Sequence, residues 1–506
     1  MHAKESRAVG ARAFVLDTAV IAAAQLLLKL RGLVAIPLIV KVLGTAEYGV
    51  WVQTLALLEM ASGIVGANLH HPLVRFLSES PERGRRIYGT LLAATVAAGA
   101  AGVLLIFAAA EPLSRFALGD AAHVWEVRAG ALLLLCYNVR LFNLNAYRAL
   151  GRMKERAAFE VTSTFGQLLG ISILLLAGYR LVGVFAFMAA WEAAFAVALS
   201  AHVGRVVGVG RFDGRLLKDA LRYALPLLPA GLSVWVLDRS DRLVIGYFLG
   251  PESVGVYSAN YALAGLLMLF QTPLQVTLLP KVSALWRGER AEAVRYVSLS
   301  NKLFLTFAIP FVVAAPVVAR PLLSRLGNEE IGAAGGMLTF LIAAGVLMWG
   351  VSVMLTQIFY GARRTLPVGM VTVGAALLNL LLNFLLVPAW GVEGAAFATL
   401  VSYAASCAAL YAMSRPVARM DFYAPHLLKC AAASLAMWVV LRALVASGEG
   451  PFALAAAIAA GGLTYFAALW PLRAVAPSEL GFLKGLVSRR APEVERAAVV
   501  ASAVER

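Results

Sequence analysis

The amino-acid sequence predicts an all-α, polytopic membrane protein, and three observations lead to that fold class. First, 61% of the residues are hydrophobic and 14% are charged, whereas a soluble domain has roughly 45–50% apolar and about 25% charged residues. Second, apolar runs of about 20 residues recur along the whole chain, each long enough to cross the hydrocarbon core as a helix. Third, no run shows the sustained polar/apolar alternation of a membrane strand, and lipid admits only helices or closed barrels.

The apolar runs divide the 506 residues into about 14 candidate transmembrane helices, with boundaries that are soft by several residues. These helices are expected at residues 14–42, 46–68, 87–110, 125–147, 158–178, 181–202, 219–249, 253–279, 300–321, 333–360, 366–388, 392–413, 425–446 and 451–472. Because the number of spans is even, both ends of the chain are expected on the same side of the membrane.

The distribution of positive charge predicts which side that is. If the N-terminus is cytoplasmic, most of the 44 Lys and Arg residues fall in cytoplasmic segments, as the positive-inside rule requires. We therefore expect a multi-pass protein of the cytoplasmic (inner) membrane with both termini in the cytoplasm. The net charge of +16 is divided among short loops without an aromatic-interleaved patch. That pattern favours anionic lipid headgroups over nucleic acid as partners.

The chain contains an internal repeat. The segments LGTAEYGVW at 43–51 and LGPESVGVY at 249–257 begin 206 residues apart. A second similar pair, LLLAGYRLVGVFAF at 174–187 and LLVPAWGVEGAAFA at 385–398, is separated by 211 residues. Two pairs at nearly one offset predict a duplicated unit that holds six spans and enters the membrane in the same direction in both copies. Such parallel repeats place a binding cavity between them.

The repeat also predicts the domain organisation. The boundaries expected from it are an N-terminal six-helix bundle at 1–210, a C-terminal six-helix bundle at 211–420, helices 13 and 14 at 421–475 and a cytoplasmic tail at 476–506.

Five basic residues fall inside predicted spans, and they are candidates for binding an anionic substrate. They are Lys29, Arg31, Arg140, Arg239 and Arg242. A charge within the bilayer is costly, so such residues usually face a cavity or a partner. An alternative for the two arginines of LDRSDRL is neutralisation by the acids of the same stretch. For Arg140, the alternative is helix–helix hydrogen bonding in a polar stripe with Asn138, Asn143 and Asn145.

Acidic residues inside spans are candidates for coupling transport to H⁺ or Na⁺, because a coupled transporter needs a carboxylate within the membrane. They are Asp17, Glu59, Glu192, Asp238 and Asp241. Glu59 and Glu192 lie closest to the middle of their spans. Either could instead pair with one of the basic residues.

The sequence contains little that suggests catalysis. The pair His70–His71 lies at a helix end without further ligands at metal-binding spacing, and the three cysteines are dispersed in apolar runs. We see no phosphate-binding loop and no Ser-His-Asp arrangement. We therefore expect a transporter rather than an enzyme, with no cofactor and no metal.

Three segments resemble a known family. They are LGTAEYGVW after the long first helix, LDRSDRLVIGYFLGPESVGVYSANYAL at 237–263 and NLLLNFLLVPAWGVEGAAFATLVSY at 379–403. They are similar to Wzx-type polysaccharide biosynthesis proteins, the lipid-linked oligosaccharide flippases of the multidrug/oligosaccharidyl-lipid/polysaccharide (MOP) superfamily. The resemblance extends from about residue 12 to residue 472.

The resemblance implies fourteen helices in two bundles around a central cavity. It also implies that a polyprenyl-pyrophosphate-linked glycan moves from the cytoplasmic to the outer leaflet, held by basic cavity residues. That role would fall on Lys29, Arg31, Arg239 and Arg242, and less directly on Arg140. Two alternatives remain open: a cation-coupled multidrug or metabolite antiporter that uses Glu59 or Glu192, and a non-transporting subunit of a polysaccharide-secretion complex. A glycan polymerase or glycosyltransferases are candidate protein partners.

Overall fold

The computed structural model describes residues 36–448 and 450–472, and every regular element in this part of the chain is helical. Residues 36–43 are helical. The α-helices that follow are α1 (Thr45–Val65), α2 (His70–Glu79), α3 (Gly84–Ala108), α4 (Ala110–Leu118), α5 (Val124–Ala149), α6 (Met153–Leu176), α7 (Leu181–Val207), α8 (Gly214–Ala224), α9 (Leu228–Ala264), α10 (Met268–Leu285), α11 (Arg290–Leu326), α12 (Glu329–Ala333), α13 (Gly335–Gly361), α14 (Leu366–Ser414), α15 (Ala424–Ser447) and α16 (Pro451–Leu469). Short 3₁₀ turns connect some of them, at Pro81–Arg83, Leu225–Leu227 and Gly265–Leu267.

Eleven helical segments of the described residues are long and apolar enough to cross a membrane. This confirms a multi-pass, all-α membrane protein. The number is below fourteen partly because Gly214–Leu285 and Leu366–Ser414 each contain two predicted spans. Gly250 in the first segment and Gly391 in the second have non-helical backbone angles at the predicted boundaries. The first predicted span lies almost entirely outside the described residues.

Three short amphipathic helices lie where the sequence suggested loops or span ends. They are α2, α4 and α8, and each buries only part of its surface. The side chain of Asp213 accepts hydrogen bonds from the backbone N–H groups of Arg215 and Leu216, and so caps α8. An N-terminal cap of this kind satisfies backbone donors that the helix itself leaves free.

The helices before residue 210 pack chiefly on one another, with α5 against α7, α3 and α2. The helices that follow form a second group, in which α13 contacts α14, α11 and α9. The two groups meet mainly where α1 and α4 of the first group pack against α9 of the second. The last two helices, α15 and α16, pack on each other and on α11. This arrangement is compatible with the predicted boundaries near residues 210 and 420, which remain a prediction.

The two copies of the LG-x-x-x-x-G segment have the same backbone geometry. Gly44 has φ 95° and ψ 172°, and Gly250, its counterpart in the second copy, has φ 81° and ψ 173°. Only glycine adopts this region without strain. We call the end of the bundle that carries these two glycines the motif end.

At the motif end, α1 and α9 touch through glycines in a symmetric way. A Cβ at Gly49 would overlap the carbonyl oxygen of Pro251, and a Cβ at Gly255 would overlap that of Thr45. The two contacts are equivalent, because Gly255 and Pro251 lie 206 residues after Gly49 and Thr45, which is the offset between the two copies. The second glycine of the segment therefore allows the two copies to pack backbone against backbone.

Candidate functional site

A cavity of about 460 Å³ lies between the two helix groups, starting at Tyr48 beside the glycine contact and reaching Glu59 along α1. Its opposite wall is formed by α9, with further residues from α13 and α14. The charged and aromatic residues that line it are Tyr48, Trp51, Glu59, Asp238, Arg239, Arg242, Tyr261, Trp349 and Tyr403. The predicted cavity between the repeats is therefore present, with polar groups inside an apolar bundle.

Arg242 is buried and already paired. Only 3% of its surface is exposed, and its Nη1 lies 2.8 Å from Asp241 Oδ1 and donates to the Asp238 carbonyl oxygen at 2.7 Å. Its guanidinium lies 4.4 Å from the centroid of the Tyr261 ring, while Tyr257 donates its hydroxyl hydrogen to Asp241. The alternative of neutralisation within LDRSDRL therefore describes Arg242, although the carboxylate that pairs with it is Asp241 and not Asp238.

Arg239 is different, because its side chain is 37% exposed and faces the cavity. Its Nε lies 3.1 Å from Asp238 Oδ2 on the same helix and 3.2 Å from Glu59 Oε2 on α1. The second distance joins the two repeats. Glu59 is thus the counter-ion of a cavity arginine. Of the two interpretations of Glu59 from the sequence, this is the one in which it pairs with a basic residue.

The predicted basic cavity is not basic within the described residues. Its two arginines, Arg239 and Arg242, are matched by the carboxylates of Glu59, Asp238 and Asp241. An excess of positive charge would have to come from the predicted first helix. Three site residues predicted there lie outside the described residues: Lys29, Arg31 and Asp17.

Arg140 and Glu192 form a separate pair inside the N-terminal helix group. Arg140 Nε lies 2.5 Å from Glu192 Oε2, and Gln167 donates to the other carboxylate oxygen at 3.4 Å. These groups line a space of about 100 Å³ next to the main cavity, with Trp51 and Glu59 on the shared wall. Glu192 therefore has a basic partner, which was the second interpretation of this residue.

The three asparagines near Arg140 have three different roles. Asn143 accepts from the Tyr88 hydroxyl and donates to Ser200, which joins three helices. Asn145 donates to the Leu141 carbonyl of its own helix. Asn138 instead lines a chamber of about 320 Å³ with Glu59, Asn68, His70 and Tyr137.

Several buried hydrogen-bond donors around the cavity have no partner within the described part of the chain. They are Trp51 Nε1, Asn138 Nδ2, Trp235 Nε1 and Arg242 Nε. Each belongs to a residue that lines the cavity or one of the smaller spaces that share Glu59 with it. Unpaired buried donors destabilise a protein unless a ligand or water accepts from them.

Sequence reasoning did not identify the aromatic lining or Asn68, and it considered His70 only as a metal ligand. Trp51, Tyr261 and Trp349 lie on apolar spans, where an aromatic residue gives no signal of its function. Asn68 follows Ala67, and both have positive φ, 43° and 52°. No sequence pattern predicts a turn that uses alanine in this region.

A sequence model described as "Polysaccharide biosynthesis protein" matches residues 14–286, and one described as "Lipid II flippase MurJ" matches residues 243–470. This chain is 24% identical over 381 residues to the "Probable flippase AglR" of Haloferax volcanii, covering 72% of this chain and 75% of that protein. It is 27% identical over 166 residues to the "Probable low-salt glycan biosynthesis flippase Agl15" of the same organism, covering 32% of this chain and 35% of that protein.

Two solved structures have a similar fold. One is "Lipid II flippase MurJ, inward closed conformation", with a TM-score of 0.74 and 13% identity, covering 88% of this chain and 97% of that chain. The other is an "Inward-facing conformation of a multidrug resistance MATE family transporter of the MOP superfamily", with a TM-score of 0.60 and 13% identity, covering 78% of this chain and 93% of that chain. At these identities the similarity shows the fold alone.

Proposed function

This chain belongs to the polysaccharide biosynthesis protein family, and from that premise we propose that it is a flippase for a polyprenyl-pyrophosphate-linked oligosaccharide. The glycan headgroup and its pyrophosphate cannot cross hydrocarbon unaided. They need a polar space within the bundle, while the polyprenyl tail stays in lipid. The activity is transport by alternating access, without a chemical step.

The observation that carries the proposal is the polar cavity between the two repeats, inside an apolar bundle. Tyr48, Asp238, Arg239 and Tyr261 line it, and Glu59 lies opposite Arg239. Such side chains can form the hydrogen bonds that pyrophosphate and sugar groups need and that hydrocarbon cannot supply. The main cavity of about 460 Å³ and the chamber of about 320 Å³ have the volumes of ligand sites.

Arg239 is the described residue best placed for the pyrophosphate. It is exposed to the cavity, and its present partners, Glu59 and Asp238, are carboxylates whose place a phosphate oxygen can take. A guanidinium binds phosphate in the same geometry as carboxylate. Lys29 and Arg31 are proposed to add positive charge from the first helix. Arg242 would contribute its positive charge from the cavity wall while Asp241 holds it in place.

The orientation we propose places both termini in the cytoplasm, so the motif end faces outwards. The glycine contact of Gly49 with Pro251 then closes the cavity on the outer side. In this state the headgroup would enter from the cytoplasm. Separation of α1 from α9 at the motif end would release it on the other side.

Coupling to an ion remains a proposal of its own. Glu59 and Glu192 are both within candidate spans and both contact an arginine. H⁺ or Na⁺ binding to either carboxylate would weaken that contact. The same groups would serve a cation-coupled antiporter, which is the second candidate function.

The experiment that tests the flippase proposal is native mass spectrometry of the full-length protein, extracted gently from its own membrane. The wild-type protein should carry a polyprenyl-pyrophosphate glycan. The variant Lys29→Ala, Arg31→Ala, Arg239→Ala should lose it, and Arg115→Ala, whose side chain is exposed and pairs with Glu111, should retain it. A wild-type protein that keeps phospholipid adducts but carries no glycan lipid would favour the antiporter or the assembly subunit.

A further inference from the structure

The chamber of about 320 Å³ adjoins the main cavity at Glu59, which lines both. Its walls come from the second half of α1, the turn that follows it, the first residue of α2 and the middle of α5. All of these belong to the first repeat. The chamber is therefore a side space of the cavity and not part of the cleft between the repeats.

Asn138 is the most informative residue of the chamber. It is 6% exposed, and its Oδ1 accepts a hydrogen bond from the Ser62 hydroxyl at 2.8 Å. A Cβ at Gly66 would lie only 2.8 Å from the same oxygen. The absence of a side chain at Gly66 therefore leaves room for the Asn138 amide. With Oδ1 fixed in this way, Nδ2 is left as a donor with no partner in the described residues. Nδ2 is itself buried in this structure, so a ligand in the chamber accepts from it only after a small movement of the amide.

The turn after α1 supplies a second amide. Ala67 and Asn68 both have positive φ, which is unfavourable for alanine and suggests a conformation kept for a functional reason. The turn makes Asn68 part of the chamber wall and of a smaller space of about 40 Å³ beside Gly231 and Trp235. Asn68 thus lies where the first repeat faces the second.

The remaining lining residues give the chamber neutral polar groups and one negative charge. His70 lies outside the candidate spans, and burial, with the adjacent His71 and Arg148, lowers its pKa to about 4. Its imidazole is therefore neutral near pH 7 and can both donate and accept. Tyr137 adds an aromatic ring, and Glu59 adds the one carboxylate among the chamber's lining residues. No lysine or arginine lines this chamber among the described residues.

This combination is suited to a sugar ring. Hydroxyl and acetamido groups can form hydrogen bonds with asparagine amides, a neutral imidazole and a carboxylate. An aromatic ring can pack against an apolar face of the sugar. An acidic sugar would instead place its carboxylate beside Glu59, whose cation Arg239 would be bound by the pyrophosphate. The location agrees, because Arg239 lies 3.2 Å from Glu59. A pyrophosphate on Arg239 would place its directly attached sugar next to the chamber.

We propose that the chamber lined by Asn68, His70, Tyr137 and Asn138 is the subsite for the sugar attached directly to the pyrophosphate. It selects a neutral sugar with hydroxyl or acetamido groups over an acidic sugar. This inference rests on the proposed flippase function. It adds to that function the location of the first sugar and the chemical class of sugar that is accepted.

The test compares three probes on the full-length protein in lipid nanodiscs: farnesyl pyrophosphate, and the same molecule carrying N-acetylglucosamine or glucuronic acid. Wild-type protein should bind the N-acetylglucosamine probe about tenfold more tightly than the glucuronic acid probe. A factor of this size is expected when a buried charge or amide is left without a partner. Asn138→Ala should weaken binding of the N-acetylglucosamine probe about tenfold, while binding of farnesyl pyrophosphate stays within about twofold.

The matched control is Asn145→Ala, a buried asparagine on the same helix that bonds only its own backbone in the described residues. Its affinities for all three probes should equal those of the wild type. Asn68→Ala, at the turn, provides a second variant should Asn138→Ala fail to fold.

The outcomes are distinct. If both sugar-bearing probes bind with the affinity of farnesyl pyrophosphate, or if neither asparagine variant changes the contribution of the sugar, the chamber proposal is wrong and the flippase proposal stands. If none of the three probes binds, the proposed function is overturned, and the chamber proposal with it.

Discussion

Glu59 Oε2 and Arg239 Nε lie 3.2 Å apart, and this contact joins the first repeat to the second across the cavity. Both side chains are more than one third exposed, so water screens the attraction and the pair contributes little to stability. Its importance is that Glu59 occupies the position that an anionic ligand needs. The carboxylate can act as a built-in competitor that returns to Arg239 when the ligand leaves.

Removal of this competitor should strengthen anion binding. Glu59→Gln keeps the size of the side chain but removes its charge, so the affinity for farnesyl pyrophosphate should rise about two- to fivefold, the range expected for an exposed ion pair. The measurement is a binding titration at low ionic strength. Because exposed charges are screened by salt, the gain should shrink at about 1 M salt. Unchanged or weaker binding at low salt would mean that Glu59 does not compete for Arg239.

The glycine contact at the motif end should control which side of the cavity is closed. Gly49→Ala places a methyl group against the carbonyl oxygen of Pro251, so α1 and α9 can no longer meet there. We expect the population to shift towards a state that is open at the motif end. Spin labels at Ala46→Cys and Glu252→Cys, in a background without native cysteines, should show longer distances than in the same protein with Gly49.

The repeat supplies a second test of the same contact. Gly255→Ala places a methyl group against the carbonyl oxygen of Thr45, and it should shift the distances in the same direction. Gly374→Ala is the control, because a Cβ there has open space around it. Equal distance distributions in all three glycine variants would show that the contact is not a gate.

Much of the fold could be predicted because membrane helices are encoded locally. A run of about 20 apolar residues defines a span without reference to the rest of the chain. The breaks at Gly250 and Gly391 also follow from local sequence, since each glycine lies in the gap between one predicted span and the next. The cavity between the repeats followed from two pairs of short segments at nearly the same offset.

The partners of the charged residues could not be predicted in the same way. Helical spacing shows that Asp238 and Arg242 share a face, but it does not show that Arg242 bonds the Asp238 carbonyl oxygen while its charge pairs with Asp241. The contact between Glu59 and Arg239 spans 180 positions in the chain, so no local pattern contains it. The sugar chamber depends on the backbone of Asn68, which only the folded chain reveals.

The two arginines of α9 should respond differently to substitution. Arg242→Met leaves Asp241 buried without its cation and should reduce the free energy of unfolding by about 3–5 kcal/mol. Arg239→Ala removes an exposed pair and should change it by no more than about 1 kcal/mol. Denaturant unfolding of the detergent-solubilised protein measures both values. Equal losses of stability would contradict the difference drawn between the buried pair of Arg242 with Asp241 and the exposed side chain of Arg239.

The pair of Arg140 and Glu192 should behave as a coupled unit, since both side chains are largely buried and 2.5 Å apart. Glu192→Leu or Arg140→Met alone leaves one buried charge and should cost about 3–5 kcal/mol of stability. The double variant removes both charges and should recover most of that loss, so a double-mutant cycle gives the coupling energy.

The double variant also decides whether Glu192 couples transport to an ion. It lacks both the carboxylate and its cation, yet it should fold, so its transport can be measured against pH and Na⁺ concentration. A coupling carboxylate must exchange its arginine for H⁺ or Na⁺ during each cycle, and without it the dependence on that ion disappears. If the double variant keeps the ion dependence of the wild type, Glu192 is a structural partner of Arg140, and the remaining described candidates are Glu59, Asp238 and Asp241.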